Sequence, residues 1–154
     1  MAIDLQSLWE HAFTEATLAG DAGDVPVGAV LVDATGRLLA TAGNEVERTA
    51  NPTAHAEILV LQRGARILGQ PNLTGTTLIV TLEPCAMCAG AIAWARVHTL
   101  YFGAFDPKSG GVEHGARVFN QPTCHHRPHV YGGFHEQRSA ALLKDFFTHR
   151  RGSE

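Results

Sequence analysis

No run in the sequence approaches the roughly eighteen consecutive apolar residues that a membrane-spanning helix needs. The opening stretch, MAIDLQSLWE, carries acids and lacks the basic segment that precedes the apolar core of a secretory signal. A soluble, cytoplasmic chain with no membrane contact is therefore expected. Cysteine is scarce: three in 154 residues, an odd number that argues against a disulfide framework and leaves metal binding or free thiols. Charge is sparse too, at 18% of residues, and a formal net charge of -3 excludes a generally basic nucleic-acid coat while leaving room for a local basic patch. No segment repeats. What is present is 45% apolar composition, enough for one domain spanning 1–154 around a single core.

Leu5, Leu8, Trp9, Ala12, Phe13, Ala16 and Ala19 recur at three- and four-residue steps, predicting a helix with one buried face. Ser7 and Glu10 suit a capping box at its start, and Gly20 suits its end. Val27–Val32 and Leu38–Thr41, joined by a turn at 33–36, read as a hairpin, followed by a polar loop from Asn44 to Pro52. A second helix is expected over Thr53–Leu68 with Thr53 as its cap, which puts His55 and Glu57 in the first turn. Thr77–Leu82 reads as a strand, Cys85–Arg96 as an alanine-rich helix and Thr99–Gly103 as a strand. A long irregular segment, 104–128, precedes a short strand at His129–Tyr131 and a final helix, Glu136–Arg150. Strands alternating with helices imply an α/β fold with helical crossovers covering both faces of one sheet.

Two short motifs carry chemistry: His55-Ala56-Glu57 and Pro84-Cys85-Ala86-Met87-Cys88. The paired cysteines and one imidazole supply three protein ligands, the number for a catalytic zinc that keeps a fourth position open, with one ion per chain. A water on such an ion has its pKa lowered from about 15.7 towards 7. Glu57, two residues from His55, is placed to move the proton without ligating the metal. The spacing H-x-E…P-C-x-x-C is the signature of zinc nucleobase deaminases.

Beyond that signature, the stretches DVPVGAVLV, AGN ending at Asn44, TAHAEI, LIVTLEPCAMCAGAI, YFGAFDPKSGGVEHG, QPTCHHRPHVYGG and LLKDFFTHRR resemble, in order, the bacterial tRNA-specific adenosine deaminases. The resemblance implies a three-layer α/β/α cytidine-deaminase-like sandwich with one mixed, mostly parallel sheet of about five strands. It implies hydrolytic conversion of the wobble adenosine of tRNA to inosine, a tRNA anticodon-loop partner and a homodimer. By position it assigns zinc to His55, Cys85 and Cys88, and the proton shuttle to Glu57. Substrate binding falls on Asn44, Val25, Pro26, Ala56 and Asp106. Glu45 stands where the family commonly has a basic residue, and Phe105 where some relatives have arginine.

Several residues keep a plainer reading beside the functional one. Asn44 is also a common turn residue. Lys108, Arg150 and Arg151 are solvated charges or RNA contacts. Cys124, His125 and His126 read as a buried thiol beside loop histidines rather than a second metal site, because three adjacent residues converge poorly on one ion. Of Phe146 and Phe147, only one can face the core. Two other functions compete with the leading one: deamination of a free nucleobase or nucleotide such as guanine or cytosine, and a non-catalytic zinc-stabilised interaction module. Glu57 argues against the latter, since a purely structural site has no use for that carboxylate.

Overall fold

The computed structural model describes residues 4–152, with side chains as far as Arg150. The chain runs α1 (Leu5–Asp21), β1 (Gly28–Val32), β2 (Leu38–Gly43), α2 (Val46–Thr49), α3 (Ala56–Leu68), β3 (Thr77–Leu82), α4 (Ala86–Ala95), β4 (Thr99–Ala104), a 3-10 turn (Val118–Asn120), β5 (His129–Tyr131) and α5 (Glu136–Gly152). The strands form one sheet in the order β2-β1-β3-β4-β5. β1 is antiparallel to both its neighbours, whereas β3, β4 and β5 are parallel to one another. Four strands therefore share a direction and β1 alone runs against them. This is the mixed, mostly parallel sheet expected, and it gathers the carboxyl ends of β2, β3 and β4 beside the start of β1, at the kind of edge where open α/β sheets bind ligands.

Alternation along the strands separates the two cores. Val30, Val32 and Ile79 pack on Leu8, Trp9, Ala12 and Phe13 of α1, with Leu142 of α5 alongside. On the opposite face, Ala29, Leu31, Leu78, Val80, Leu100 and Phe102 meet Val60 and Leu61 of α3 and Ala89 and Ile92 of α4. Full burial of each Val, Leu, Ile or Phe side chain contributes roughly 1.5–3 kcal/mol. The result is the three-layer sandwich. α1 lies unusually close to the hairpin because Gly28 and Gly43 stand beneath it. A Cβ on Gly43 would come within 2.6 Å of the Glu15 carbonyl oxygen, and one on Gly28 would overlap that of Ala12.

The helix starts differ from expectation, each for a local reason. Asp4, not Ser7, caps α1: its Oδ1 accepts from the Ser7 N–H at 3.2 Å. Glu10 is drawn instead to Arg138 of α5, 2.7 Å away, so no capping box forms. α1 also continues past Gly20, and the chain turns with Gly23 at φ +93°. Thr53 does not cap α3; its N–H donates to Asn51 Oδ1 at 3.0 Å, and the helix begins at Ala56 with His55 as N-cap. The Asn44–Pro52 loop contains α2, whose first turn is held by Asp24 from twenty-odd residues upstream: Glu47 N–H donates to Asp24 Oδ1 at 2.7 Å.

Candidate metal centre and active site

His55 and Cys85 occupy equivalent places, each the N-cap of a helix that starts at the functional edge of the sheet, and neither side chain caps its own helix. They face one another instead. His55 Nδ1 lies 3.7 Å from Cys85 Sγ and 3.6 Å from Cys88 Sγ. All three donor atoms fall within 4.8 Å of one another. Bonds of about 2.3 Å to sulfur and 2.0–2.1 Å to nitrogen at a tetrahedral zinc put S and N about 3.6 Å apart, so this donor set fits the ion. Zinc is the cofactor that the ligand types and the family indicate. Two helix N-termini pointing at the cluster favour negative charge there. The Cys88 thiol donates to Cys85 and, with His55 adding to the effect, holds the Cys85 thiol down to about 4. Cys88 is pushed up by that same hydrogen bond and by burial, and His55 is raised chiefly by its bond to Cys85.

Glu57 sits in the first turn of α3 and is only 4% exposed. Burial is the main cause that pushes its carboxyl up to about 7. It lines a cavity of about 260 Å³ together with His55, Cys85, Asn44, Val25 and Asp106. Val27, Val46 and Leu82 add apolar wall, and Asp24, Glu47, Glu83 and Ser109 add polar lining. Asn44 is buried, and its Oδ1 accepts from the Ala56 N–H at 2.8 Å. With that oxygen engaged, the side chain has its Nδ2 donor to offer the cavity.

Two of the expected substrate contacts lie behind the cavity wall. Pro26 and Ala56 are buried but do not line the cavity. The Pro26 ring lies against Gly20 at the end of α1, where an added Cβ would meet it at 3.2 Å, and Ala56 contributes only its backbone N–H to Asn44. Sequence reasoning also missed Asp24, Glu47, Glu83 and Ser109. A charged residue immediately after the β-branched and apolar run of β3 was the available signal for Glu83; the others carried none.

The candidate RNA contacts lie apart from the metal centre. Lys108 is exposed on a neighbouring groove of about 450 Å³ shared with Phe105, Leu143 and Phe147. Arg150 lies 5.4 Å over the Phe146 ring. Arg151 continues α5, but its side chain lies outside the described residues. Glu45 is ion-paired with Arg63 at 3.5 Å, so its charge is compensated locally. Phe146 is half-buried and Phe147 exposed, as adjacency on a helix requires. Cys124 Sγ donates to the His126 carbonyl at 3.1 Å and His126 Nε2 bonds to the Val97 carbonyl at 2.6 Å, which leaves no convergent second metal set among the described residues.

Residues 3–104 match the zinc-binding region of cytidine and deoxycytidylate deaminases. A tRNA-specific adenosine deaminase of Agrobacterium fabrum is 52% identical over 142 residues, covering 92% of this chain and 93% of that protein. A solved structure from studies of A-to-I editing by tRNA:A34 deaminases, at the wobble position of transfer RNA, superposes with a TM-score of 0.87 at 51% identity, covering 90% of this chain and 99% of its own. A guanine deaminase of Nitrosomonas europaea, 21% identical with a TM-score of 0.76 over 95% of this chain and 86% of its own, shares the fold. The chain belongs to the cytidine and deoxycytidylate deaminase family and, within it, to the tRNA-specific adenosine deaminases.

Proposed function

We propose that the protein hydrolyses the wobble adenosine of tRNA to inosine. The carrying observation is a buried carboxylate, Glu57, beside a three-ligand zinc set at one cavity, in a chain 52% identical to a tRNA-specific adenosine deaminase. Zinc held by His55, Cys85 and Cys88 supplies a Lewis acid that brings water towards ionisation at neutral pH. Glu57 accepts the proton from the attacking water and delivers it to the purine ring nitrogen beside C6. As the C6–N bond breaks, a second proton passes to the departing amine. The balance is adenosine plus water giving inosine plus ammonia. Glu57 suits both transfers because a group titrating near the working pH accepts and returns a proton with little loss.

Asn44 positions the extruded base through Nδ2, and Val25, Val46 and Leu82 exclude water from its faces. A cavity of about 260 Å³ lies below the roughly 300–1,000 Å³ typical of ligand clefts, which suits one unstacked base rather than a stretch of RNA. Asp106 on the cavity and Lys108 on the neighbouring groove are assigned to the flanking backbone, a reading their shared edge supports. The chain works in the cytoplasm, where tRNA is processed, and among the described residues no helix is long and apolar enough to cross a membrane.

The assembly is a homodimer through α4. That helix, AMCAGAIAWA, has no charged residue, and Trp94 on it is 84% exposed at the edge of a groove of about 420 Å³. An uncharged helix face with an exposed indole suits a second copy rather than water.

Incubation of purified protein with tRNA, followed by sequencing, tests the function: inosine is read as guanosine at the wobble position. Ammonia release from tRNA, adenosine, guanine and cytosine is measured in parallel. The local acidity of the cavity, which holds Asp24, Glu47 and Asp106, favours a second reading, a free-base deaminase. Release from guanine or cytosine with none from tRNA would establish that second reading instead. Sedimentation of Trp94→Asp as a monomer, beside a dimeric parent, supports the α4 interface; a parent that sediments as a monomer removes it.

A further inference from the structure

Glu83 stands between the end of β3 and Cys85, and its side chain is fully buried. Every hydrogen bond to its carboxylate comes from one later segment. Oε1 accepts from the Asp106 N–H at 3.0 Å and from His114 Nδ1 at 2.8 Å. Oε2 accepts from the N–H groups of Val112, Glu113 and His114 at 3.2, 2.9 and 3.2 Å. Burial by itself would raise this carboxyl, yet the bonds from Asp106, His114, Glu113 and Val112 hold it below its ordinary value.

The segment has little other order of its own. It is irregular backbone between β4 and the 3-10 turn, and it is drawn in tightly. Gly111 N–H donates to the Pro84 carbonyl at 2.8 Å, and a Cβ on Gly111 would come within 2.5 Å of Ala86 N. A Cβ on Gly110 would collide with Glu83 Oε2 itself. Asp106 and Ser109 of this segment line the cavity, and Lys108 lines the groove beside it. Asp106 Oδ1 in turn accepts from the N–H groups of Lys108 and Ser109, so where Asp106 is placed, both of them follow.

We propose that Glu83 is a positioning residue for substrate: its buried carboxylate gathers the 106–114 segment and so sets where Asp106, Lys108 and Ser109 meet the RNA flanking the reacting base. The inference rests on the tRNA reading for the identity of that substrate. Two oxygens receive five donors, which only a carboxylate can satisfy; an amide offers one oxygen and turns its own N–H groups towards the remaining donors. Glutamine at this position is therefore not a conservative replacement.

The test compares zinc-loaded wild type, Glu83→Gln, Gly110→Ala and a control, Ile79→Val, which trims the far core without touching the segment. Gly110→Ala displaces the carboxylate from the opposite side and stands in if Glu83→Gln misfolds. Amide hydrogen exchange without substrate is expected to accelerate at Asp106, Val112, Glu113 and His114 in both test variants and not in the control. With an anticodon stem-loop, KM is expected to rise about tenfold or more while kcat falls by no more than about threefold, the pattern of lost substrate binding rather than lost chemistry. Zinc stays at one per chain. A merely structural role predicts the opposite split: fewer active molecules, lower apparent kcat, unchanged KM and no selective exchange. That result overturns the proposal, as does loss of zinc or of folding in both test variants. Wild-type inactivity on the stem-loop would instead count against the tRNA reading, with the exchange result still deciding the role of Glu83.

Discussion

Asn44 Oδ1 accepts the backbone N–H of Ala56 at 2.8 Å, so the side chain that we propose holds the substrate also starts the helix that carries Glu57. On the proposed reading, substrate holding and the placement of the proton carrier are thereby joined in one residue.

That joint role separates in two variants. Asn44→Ala removes both the cap-like acceptor and the donor, and is expected to lose about 0.5–2 kcal/mol of stability along with activity. Asn44→Asp keeps the acceptor and removes the donor, so it should melt near wild type while remaining inactive. Thermal melting beside deamination assays checks this; an active Asn44→Asp would show that the Nδ2 donor is not used.

Glu57→Ala is expected to keep its fold and one zinc per chain while turnover falls by about 100- to 10,000-fold, at or beyond the upper end because one carboxylate serves both proton transfers. Metal analysis and single-turnover assays measure the two properties separately. Retention of more than about a tenth of the activity would mean that another group moves the proton.

Removing a ligand acts differently from removing the acid. Cys88→Ala should lose zinc and stability together, since metal binding to a site absent from the unfolded chain contributes to folding free energy. A strong chelator applied to wild type should lower the melting temperature in the same direction. Full zinc occupancy in the variant would contradict the three-ligand assignment.

Binding to RNA should be only shallowly salt-dependent. With a formal net charge of -3 and few candidate contacts, about two to four phosphates are neutralised, and a slope of about -0.7 for each gives roughly -1.5 to -3 for the logarithm of affinity against the logarithm of salt. A salt series with the inactive Glu57→Ala protein and an anticodon stem-loop supplies the number. Affinity no better than that for free adenosine at every salt concentration would refute RNA recognition.

The Glu10–Arg138 pair fixes α1 against α5 and gives stability a pH dependence. The hydrogen bond from Arg138 is the main reason Glu10 is held below its usual value. A carboxyl depressed on folding stabilises above its unfolded value of about 4.3, and that contribution is lost as pH falls through the folded value. Arg138→Ala should therefore melt lower than wild type at pH 7, with the gap narrowing below about pH 4. A residue of the gap should persist, because the guanidinium also covers the Phe13 ring at 4.1 Å. A gap of constant size across that range would assign the whole effect to packing.

Residue spacing made the main helices and strands legible, because each depends on neighbours in sequence, and two short motifs marked the metal ligands although 30 residues separate His55 from Cys85. The misplaced features depend on contacts that the spacing does not record, most of them with distant partners. Thr53 looked like a cap until Asn51 claimed its N–H, and Glu10 left the expected capping box for Arg138, 128 residues away. α2 lay hidden in a polar loop because the carboxylate that caps it belongs to Asp24. The 104–128 segment read as unpatterned for the same reason: its first part is organised around Glu83, and no local periodicity records an acceptor held just beyond the end of another strand.

Gly28 and Gly43 are partners across the hairpin, and both press against α1. Sliding one strand past the other would bring the methyl of Ala29 or Ala42 into helix backbone, so α1 acts as a gauge block that admits one register. Val27 and Asn44 lie just outside that pair, tied by the Asn44 N–H to the Val27 carbonyl at 3.1 Å. No residue of α1 lines the cavity, yet its thickness sets the calibration of the two residues that do. Substitutions at Ala12 or Ala16 would thus be felt at the base as a misalignment rather than as a missing contact.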